Sequence, residues 1–358
     1  MSASSRIRRG ALRQALSFAS AIGLALVMGL VMLALDGFAP GDVASSVFSS
    51  TFASDFRFAN MVSRLVVIVL VALAAAVPFK AGIWNIGGDG QMTVGGFVAA
   101  VVGFYVTGLP PVVHIGLAVA AGMVGGALWA SIPAFLRLKY KANEIVTTIM
   151  MNYLATLLVG YLVNYPFRAP GSANAETSLI QGTAVLTRLV TLSNLSAGIY
   201  LALAAFLAIC VVDWMTSWGY EWKVLGANDE FARYGGVRET KMRFLAMAIG
   251  GGLAGLAGSI QVLGMYYKYT LGMGGGVGFT GVLIALIASN SPIVILIVSM
   301  IFAFLVSGTV GLEARLGLAT EFSSILQSVI ILVVITRSRL WGAISALRKN
   351  GNRYGQSG

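Results

Sequence analysis

The sequence predicts an all-α polytopic membrane protein whose helices are interrupted by short glycine-rich segments. Three observations favour this class. Of the 358 residues, 58% are hydrophobic and only 10% are charged, which is more apolar than one soluble core of this length requires. The apolar residues fall in runs long enough to span a bilayer. The basic residues fall in short loops between those runs, as in membrane proteins generally.

The candidate spans are ten apolar runs separated by polar or glycine-rich stretches. The first run follows the basic stretch "SSRIRRGALRQ" and no A-x-A site comes after it, so we expect an uncleaved helix rather than a signal peptide. Ten crossings place both termini on one side of the membrane. The spans cover residues 15–35, 61–77, 92–107, 112–136, 145–165, 197–214, 244–264, 279–289, 292–310 and 320–336.

The distribution of Lys and Arg gives these spans an orientation. With the N-terminus inside, 18 of the 24 basic residues lie on the inside and six on the outside, as expected when cytoplasmic loops carry the excess of positive charge. We therefore expect both termini in the cytoplasm. The predicted parts are a cytoplasmic segment 1–14, a transmembrane domain 15–336 and a basic cytoplasmic tail 337–358, with long outer loops at 36–60 and 166–196.

The run 279–289, "FTGVLIALIAS", is the weakest of the ten spans. At about 1.5 Å per residue, it is too short to cross a hydrocarbon core of ~30 Å as a regular helix, which favours a half-helix. Re-entry on the same side would reverse the later spans and place the basic tail outside, against the charge bias. Ten crossings are retained, and crossing or re-entry of this run stays open.

The stretch "FKAGIWNIGGDGQM", residues 79–92, separates two apolar runs with polar residues and four glycines. Irregular backbone at membrane depth persists only where protein packs around it or where it lines a wet cavity. Asn85, Asp89 and Gln91 would be costly in lipid unless they pair or face water. Two compatible interpretations stay open: these residues line a translocation path, or Asp89 caps the helix that starts near Met92.

A second glycine-rich break occurs in "YTLGMGGGVGFTGVLIALIASNSP" and leads into the short run 279–289. It follows a span of opposite predicted direction. Short, glycine-interrupted segments at matching places in two halves are typical of inverted repeats around a path at the membrane midplane.

Small residues recur at a spacing of four in two predicted spans. They are Gly122 and Gly126 in "AAGMVGGALWA", and Gly251 and Gly255 in "IGGGLAGLAGS". This spacing lets helix backbones approach closely. We therefore interpret these glycines as helix-packing positions.

The long inside loop 215–243 contains "TSWGYEWKVLGANDEFARYGGVRETKMR" and mixes acidic with basic residues. It is too polar to span the membrane, but it can form short helices with bends at Gly226 and at Gly235–Gly236. Such a segment suits docking of a soluble partner. An ordinary solvated loop has the same composition and is the alternative.

Four motifs together carry a resemblance to a known family. They are "GIWNIGGDGQMTVGGFVAA", "ANEIVTTIMMNYLA", "GYEWKVLGANDEFARYGGV" and "IGGGLAGLAGSIQVLG". In this order and spacing, over about residues 60–336, the chain resembles the inner-membrane permeases of bacterial ABC importers for nucleosides and simple sugars. The first motif and Asn143–Glu144 resemble the nucleoside-type branch more than the ribose-type branch.

The resemblance implies a type II importer permease in the bacterial inner membrane. Its partners would be a second identical or homologous permease, a cytoplasmic ABC ATPase and a periplasmic or lipoprotein substrate-binding protein. The family's coupling helix falls in the loop 215–243. Lys223 and Ala227 stand where members often have Arg and Glu, so the docking charge differs. The coupling residues carried over are Glu221, Gly226, Ala227, Asn228, Ala232 and Gly236.

The sequence gives no sign of an enzyme. It has no G-x-x-x-x-G-K-[ST] motif, so we expect ATP and Mg to bind to the partner ATPase and no cofactor to bind to this chain. The single histidine, His114, has no triad or metal-ligand partners in the sequence pattern and is interpreted as a packing or interfacial residue. The net charge of +11 is spread over short loops rather than one patch, which argues against nucleic-acid binding.

We expect the translocation path to combine polar groups with aromatic rings, because nucleosides and sugars present polar edges and apolar faces. Two alternatives to a nucleoside permease remain. One is an ABC permease for a simple sugar such as ribose, and the other is a secondary transporter that uses Asp89 for ion coupling. The expected path residues are Trp84, Asn85, Gly88, Asp89, Gln91, Asn152, Tyr153 and Gly275.

Overall fold

The computed structural model describes residues 39–316, and the regular elements in that range are helices together with two isolated β-bridges. The predicted all-helical class is therefore confirmed for this range. The helices are α1 (Pro40–Phe52), α2 (Asp55–Lys80), α3 (Gly88–Tyr105), α4 (Pro111–Tyr140), α5 (Glu144–Asn164), α6 (Gly198–Met215), α7 (Ser217–Ala227), α8 (Asp229–Tyr234), α9 (Glu239–Gln261), α10 (Val277–Ile287) and α11 (Pro292–Leu316). A 3-10 turn (Gly182–Ala184) precedes α6, and a π-helical turn (Val262–Tyr266) extends α9.

The predicted spans between residues 61 and 310 all fall on helices. In the described range, five helices are long and apolar enough to cross a membrane, namely α2, α4, α5, α6 and α9 with its π-turn. Helix α3 begins with the polar turn "GDGQ". Helix α10 has 11 residues and is therefore about 16 Å long, as the half-helix interpretation expects. The spans 15–35 and 320–336 lie outside the described residues, so ten crossings remain a prediction.

Residues 54–303 form one compact unit, and the interior of this unit is built on α2 and α9. In their most apolar windows, 78% of α2 and 83% of α9 are buried, against 28% for both α4 and α5. A helix that is apolar on every side and buried on every side belongs to a protein interior. The half-exposed helices α4 and α5 therefore form the periphery of this unit.

Glycines make the seam between α9 and α4. A Cβ on Gly251 would overlap the carbonyl oxygen of Gly126, and one on Gly255 would overlap that of Gly122. The predicted packing role of both glycine pairs is confirmed, and the two pairs face each other. The seam continues to α3, because a Cβ on Gly258 would overlap the carbonyl oxygen of Met92.

The described residues 39–53 and 304–316 belong to a second compact unit. Within it, α1 carries Phe48 and Phe52, whose rings lie 5.7 and 5.9 Å from the ring of Phe304. The stretch 36–60, predicted as a loop, thus contains α1 and the start of α2. Pro40 at the first helical turn is favourable because the nitrogen there needs no intrahelical partner.

The inside loop forms the short helices α7 and α8, as predicted. The bend between them lies at Asn228, whose backbone is extended, and not at Gly226, which is inside α7. The expected bend at Gly226 was therefore wrong. The glycine has another use there, because a Cβ would overlap the carbonyl oxygen of Lys80 at the end of α2. Gly236 has a φ of +78° and ends α8 in a left-handed turn, as expected for glycine.

Candidate functional site

The first glycine-rich break joins α2 to α3. Helix α2 contains Pro78 and ends at Lys80, after which the amides of Ala81 and Ile83 both donate to the carbonyl of Pro78. Gly82 turns the chain with a φ of +70°. A Cβ on Gly82 would also lie 3.3 Å from the Cα of Gly226, so this glycine is required by both conformation and space.

Two side-chain amides close the break from inside. Asn85 Nδ2 donates to Gln91 Oε1 at 3.1 Å, and Gln91 Nε2 donates to Asn85 Oδ1 at 2.8 Å. Asn85 also donates to the carbonyl of Ala74 and accepts from the amide of Gly87. Both side chains are about 1% exposed, so their hydrogen-bonding capacity is used within the chain.

Helix α5 supplies the partners for the backbone of the break. Asn152 Oδ1 accepts from the amide of Gly90 at 2.8 Å, and its Nδ2 donates to the carbonyl of Ile86 at 2.9 Å. The amide of Ile86 donates to Thr148 Oγ1 at 3.3 Å. These backbone groups have no helical partner, and an unpaired buried group is costly. Asn152 and Thr148 therefore hold the irregular backbone in one conformation.

Asp89 connects the two glycine-rich breaks. Its Oδ1 accepts from the amide of Gly278 at 2.7 Å, in the first turn of α10. The residue preceding that helix is Gly276, which has no capping side chain. The carboxylate thus serves as the cap of α10, where the positive end of the helix dipole favours an anion. One of the two interpretations left open by the sequence was a cap on the helix that starts near Met92, and the structure places the cap on α10 instead.

The second break, 272–276, has a different construction. Gly272, Gly275 and Gly276 all have left-handed backbone, with φ of +83°, +54° and +77°. A Cβ on any of them would meet no other heavy atom within 4 Å. In contrast, Gly88 packs tightly, since its Cβ would lie 3.2 Å from Val71 Cγ1 and 3.5 Å from the Cα of Gly278. At these three positions the turn is set by backbone conformation, whereas the intervening Gly274 packs against Met92, whose Cε would lie 2.9 Å from its Cβ.

Two expected path residues lie at the surface of the chain. Trp84 is 41% exposed, and its ring centroid lies 4.8 Å from that of Phe79. Tyr153 is 64% exposed on α5, next to the buried Asn152. The expected path residues therefore include a buried group around Asn85 and two exposed aromatic residues, Trp84 and Tyr153.

The predicted coupling segment rests on the end of α2. Within it Ala232 is fully buried, Glu221 is half-buried, and Gly226, Ala227, Asn228 and Gly236 are exposed. Asn228 Oδ1 accepts from the amide of Phe231 at 3.0 Å and so caps α8. The side chains most available to a partner are aromatic residues that sequence reasoning did not select: Tyr220, Phe231 and Tyr234, of which Tyr234 is 90% exposed.

Arg243 ties this segment to the first break and was also missed from the sequence. Its guanidinium is bonded to the carbonyl of Ala81 at 3.0 Å, to Asp229 at 2.6 Å and to Glu239. A second tie is Asp213 of α6, which pairs with Lys80 at 2.6 Å and with Lys223 at 3.2 Å. A charged residue inside an apolar run, such as Asp213, was the available signal.

His114 is buried, with Nδ1 2.8 Å from Thr183 Oγ1 and Nε2 3.1 Å from the carbonyl oxygen of Val102. Its surroundings are those of a packing residue. In residues 39–316, no three His, Cys, Asp or Glu residues are grouped so as to hold a metal ion.

Comparison with known proteins gives a consistent picture. The model of the family described as "Branched-chain amino acid transport system / permease component" matches residues 57–335. The glucose ABC transporter permease protein TsgB13 of Haloferax volcanii is 32% identical, over 87% of this chain and 84% of that protein. The guanosine ABC transporter permease protein NupP of Bacillus subtilis is 28% identical, over 92% and 96%. The nucleoside ABC transporter permease protein NupB of Lactococcus lactis is 28% identical, over 80% and 83%. The chain therefore belongs to the branched-chain amino acid transport system permease family, and with it to the membrane-embedded permeases of type II ABC importers.

Proposed function

We propose that this chain is the permease subunit of an ABC importer that carries nucleosides across the bacterial inner membrane. The observation that carries the substrate class is the similarity to guanosine and nucleoside permeases over most of both chains. A cytoplasmic ATPase supplies the energy, a binding protein delivers the substrate, and a second identical or homologous permease completes the path. Both termini are cytoplasmic, with 1–14 and 337–358 flanking the permease domain 15–336.

The path runs past the two breaks, at 82–91 and 272–281. The buried amides are hydrogen-bonded within the chain, so their role is to hold the conformation of the first break; they are Asn85, Gln91 and Asn152. The exposed rings of Trp84 and Tyr153 are available to stack on a nucleobase. Asp89 joins the breaks, and Gly88 and Gly275 keep the backbone close to the path.

Coupling passes from the ATPase through α7 and α8 to the first break. Three contacts support this route: Gly226 against the carbonyl of Lys80, Arg243 on the carbonyl of Ala81, and Asp213 on Lys80. All three reach the last residue of α2 or the first residue of the break. A displacement of α8 therefore pulls on the segment that carries Trp84 and Asn85.

A simple sugar is the second candidate substrate, because the glucose permease of Haloferax volcanii is also similar to this chain. The secondary-transporter alternative loses support. It requires Asp89 to bind an ion, whereas its carboxylate already accepts an N–H from α10, and the family supplies a permease component rather than a self-sufficient carrier.

The deciding experiment is uptake of labelled adenosine and uridine by cells with and without this gene. We expect deletion to abolish nucleoside uptake, plasmid-borne gene to restore it, and unlabelled nucleosides but not ribose or glucose to compete. Uptake that survives deletion would refute the nucleoside assignment, and competition by glucose would transfer it to sugars. Uptake that ceases when an uncoupler is added at constant ATP would refute the ABC mechanism.

The coupling route is tested separately. Tyr234→Ala should weaken pull-down of the ATPase at unchanged membrane level. Tyr200→Ala, at an exposed tyrosine near the start of α6, should not. Arg243→Gln should retain ATPase binding and lose transport-linked ATP hydrolysis. Gly226→Trp is less specific, because the new ring would also displace α7 from the end of α2. Normal docking and transport in all three variants would remove α7–α8 from the mechanism.

A further inference from the structure

A groove outside the proposed path lies between the end of α4 and the start of α9. It encloses about 670 Å³, within the usual range of small-molecule sites. Its walls are apolar and come from both helices: Phe135 and Leu138 from α4, and Phe244 and Leu245 from α9. Phe135 and Phe244 are 49% and 40% exposed, so two aromatic rings of this groove stay uncovered by the chain.

Three cations line the same groove: Lys139, Arg238 and Lys241. All three are exposed. Neighbouring cations are paired, Arg137 with Glu144 and Arg233 with Glu239. Among the residues that the structure describes, no carboxylate lies within 4.0 Å of the three groove cations. The ammonium of Lys139 instead lies 5.2 Å from the centre of the Phe135 ring, at the wall of the groove.

We propose that this groove binds an anionic phospholipid of the cytoplasmic leaflet. The phosphate is recognised by Lys139, Arg238 and Lys241, and an acyl chain lies against Phe135, Leu138, Phe244 and Leu245. Apolar walls combined with unpaired cations match the acyl chain and the charged headgroup of such a lipid. A free phosphate would use the charges and leave the apolar walls exposed to water.

The position of the groove agrees with this occupant. The predicted orientation places the end of α4 and the start of α9 on the cytoplasmic side, where anionic headgroups attract basic residues next to a membrane span. The inference rests on that orientation and not on the nucleoside substrate. A lipid held there would join α4 to the turn of α9 that carries Arg243, and would so stabilise the coupling contacts.

The test uses the full chain purified in a neutral detergent and titrated with phosphatidylglycerol, phosphatidylcholine, glycerol 3-phosphate or inorganic phosphate. Bound lipid is counted by native mass spectrometry, and the melting temperature is followed in parallel. We expect retention of phosphatidylglycerol and a rise in melting temperature with that lipid alone. Each cation removed, as in K139Q, R238Q or K241Q, should weaken binding about fivefold.

Two variants make the result specific. Lys141→Gln removes another exposed charge, two residues from Lys139 and outside the groove, and it should bind phosphatidylglycerol like the parent chain. Leu138→Trp fills the groove without changing charge and should lose the lipid. If it binds normally, the apolar walls are not the site.

Three other outcomes would overturn the proposal. Equal weakening by Lys141→Gln would mean diffuse surface attraction, and equal retention of phosphatidylcholine would mean no headgroup recognition. If a variant that combines K139Q, R238Q and K241Q kept the lipid but lost binding of the partner ATPase in a pull-down, the groove would be an ATPase contact. Because lipid binding is measured without substrate, failure here leaves the nucleoside assignment untouched, and the reverse also holds.

Discussion

The two glycine-rich breaks look alike in the sequence and are built in opposite ways. The first, 81–91, is enclosed: Asn85 and Asn152 bond to its backbone from buried positions, and Gln91 pairs with Asn85. The second, 272–276, is more open: its three left-handed glycines have free space where a Cβ would lie, although Gly274 between them packs against Met92. Asp89 joins the two regions, because its carboxylate accepts from the amide of Gly278, two residues beyond the second break.

This difference assigns different physical roles to the breaks. A segment whose buried polar groups all have partners resists local opening, whereas a segment with few buried contacts opens at low cost. The first break is therefore the rigid one, and the second is the segment whose displacement costs less free energy. Variants in each break separate these roles.

The largest effect is expected at the joint between the breaks. Gly278→Val would force a branched side chain into the backbone and carboxyl group of Asp89. We expect the free energy of unfolding to fall by about 3 kcal/mol or more, and little folded protein to reach the membrane. Gly275→Asn is the control, since its site is open and Asn tolerates the left-handed region, and it should cost about 1 kcal/mol at most. Thermal unfolding in detergent measures the stability of both variants. Equal destabilisation by the two changes would contradict the proposed difference between the breaks.

The next effect is expected from Asn152→Leu. The change leaves the amide of Gly90 and the carbonyl of Ile86 without their partner, at a cost of about 2 kcal/mol. Tyr153→Phe, at the exposed neighbour, should leave the melting temperature unchanged. An unchanged melting temperature in Asn152→Leu would show that the break does not depend on α5.

Asp89 gives a smaller and more informative effect. Asp89→Asn keeps an oxygen that can accept from the amide of Gly278, so its free energy of unfolding should fall by about 1 kcal/mol. Asp89→Ala removes the cap, and its free energy of unfolding should fall by about 2 kcal/mol. If Asp89 acts only as a cap, nucleoside uptake should follow stability in both variants. Uptake lost in Asp89→Asn at normal membrane level would instead establish a role for the charge in the path.

The smallest effect is expected in the stretch that leads into the open break. The hydrogen bond from Lys268, with a second from Ser172, holds the pKa of Glu176 below its usual value of 4.5. A lowered folded-state pKa means that the pair stabilises the protein above pH 4.5 and stops doing so as the pH falls through the lower folded-state pKa. The melting temperature of Glu176→Gln should therefore lie slightly below that of the parent at pH 7, and the two should converge in acid. A constant difference at all pH values would exclude this pair as the cause.

Much of the fold was predictable because it follows from local composition. Apolar runs gave the helices between residues 61 and 310, and glycines at a spacing of four identified the seam of α4 and α9. The two short helices of the loop 215–243 were expected, but their bend was placed at Gly226 instead of Asn228. A glycine permits a bend and a close contact equally well, and only the neighbour, here the end of α2, distinguishes them.

The sequence indicated several residues of the candidate site, but it did not indicate their hydrogen-bond partners. Asn85, Asp89 and Gln91 stood out because polar groups at membrane depth need partners. Asn152 pairs with a segment more than 60 residues away, and Asp89 caps a helix 189 residues away. Arg243 was passed over because it lies in an ordinary basic loop, and its burial against Ala81 appears only after folding.

The sequence by itself determined that the chain is a helical membrane protein with two glycine-rich breaks and a polar segment at 215–243, because hydropathy and glycine content are local properties. The tertiary structure alone decided which break is closed by side chains, which helix Asp89 caps, and that the polar segment rests on the end of α2. Each of these depends on groups far apart in the chain, whose pairing is fixed by close packing and by the need to satisfy every buried polar group.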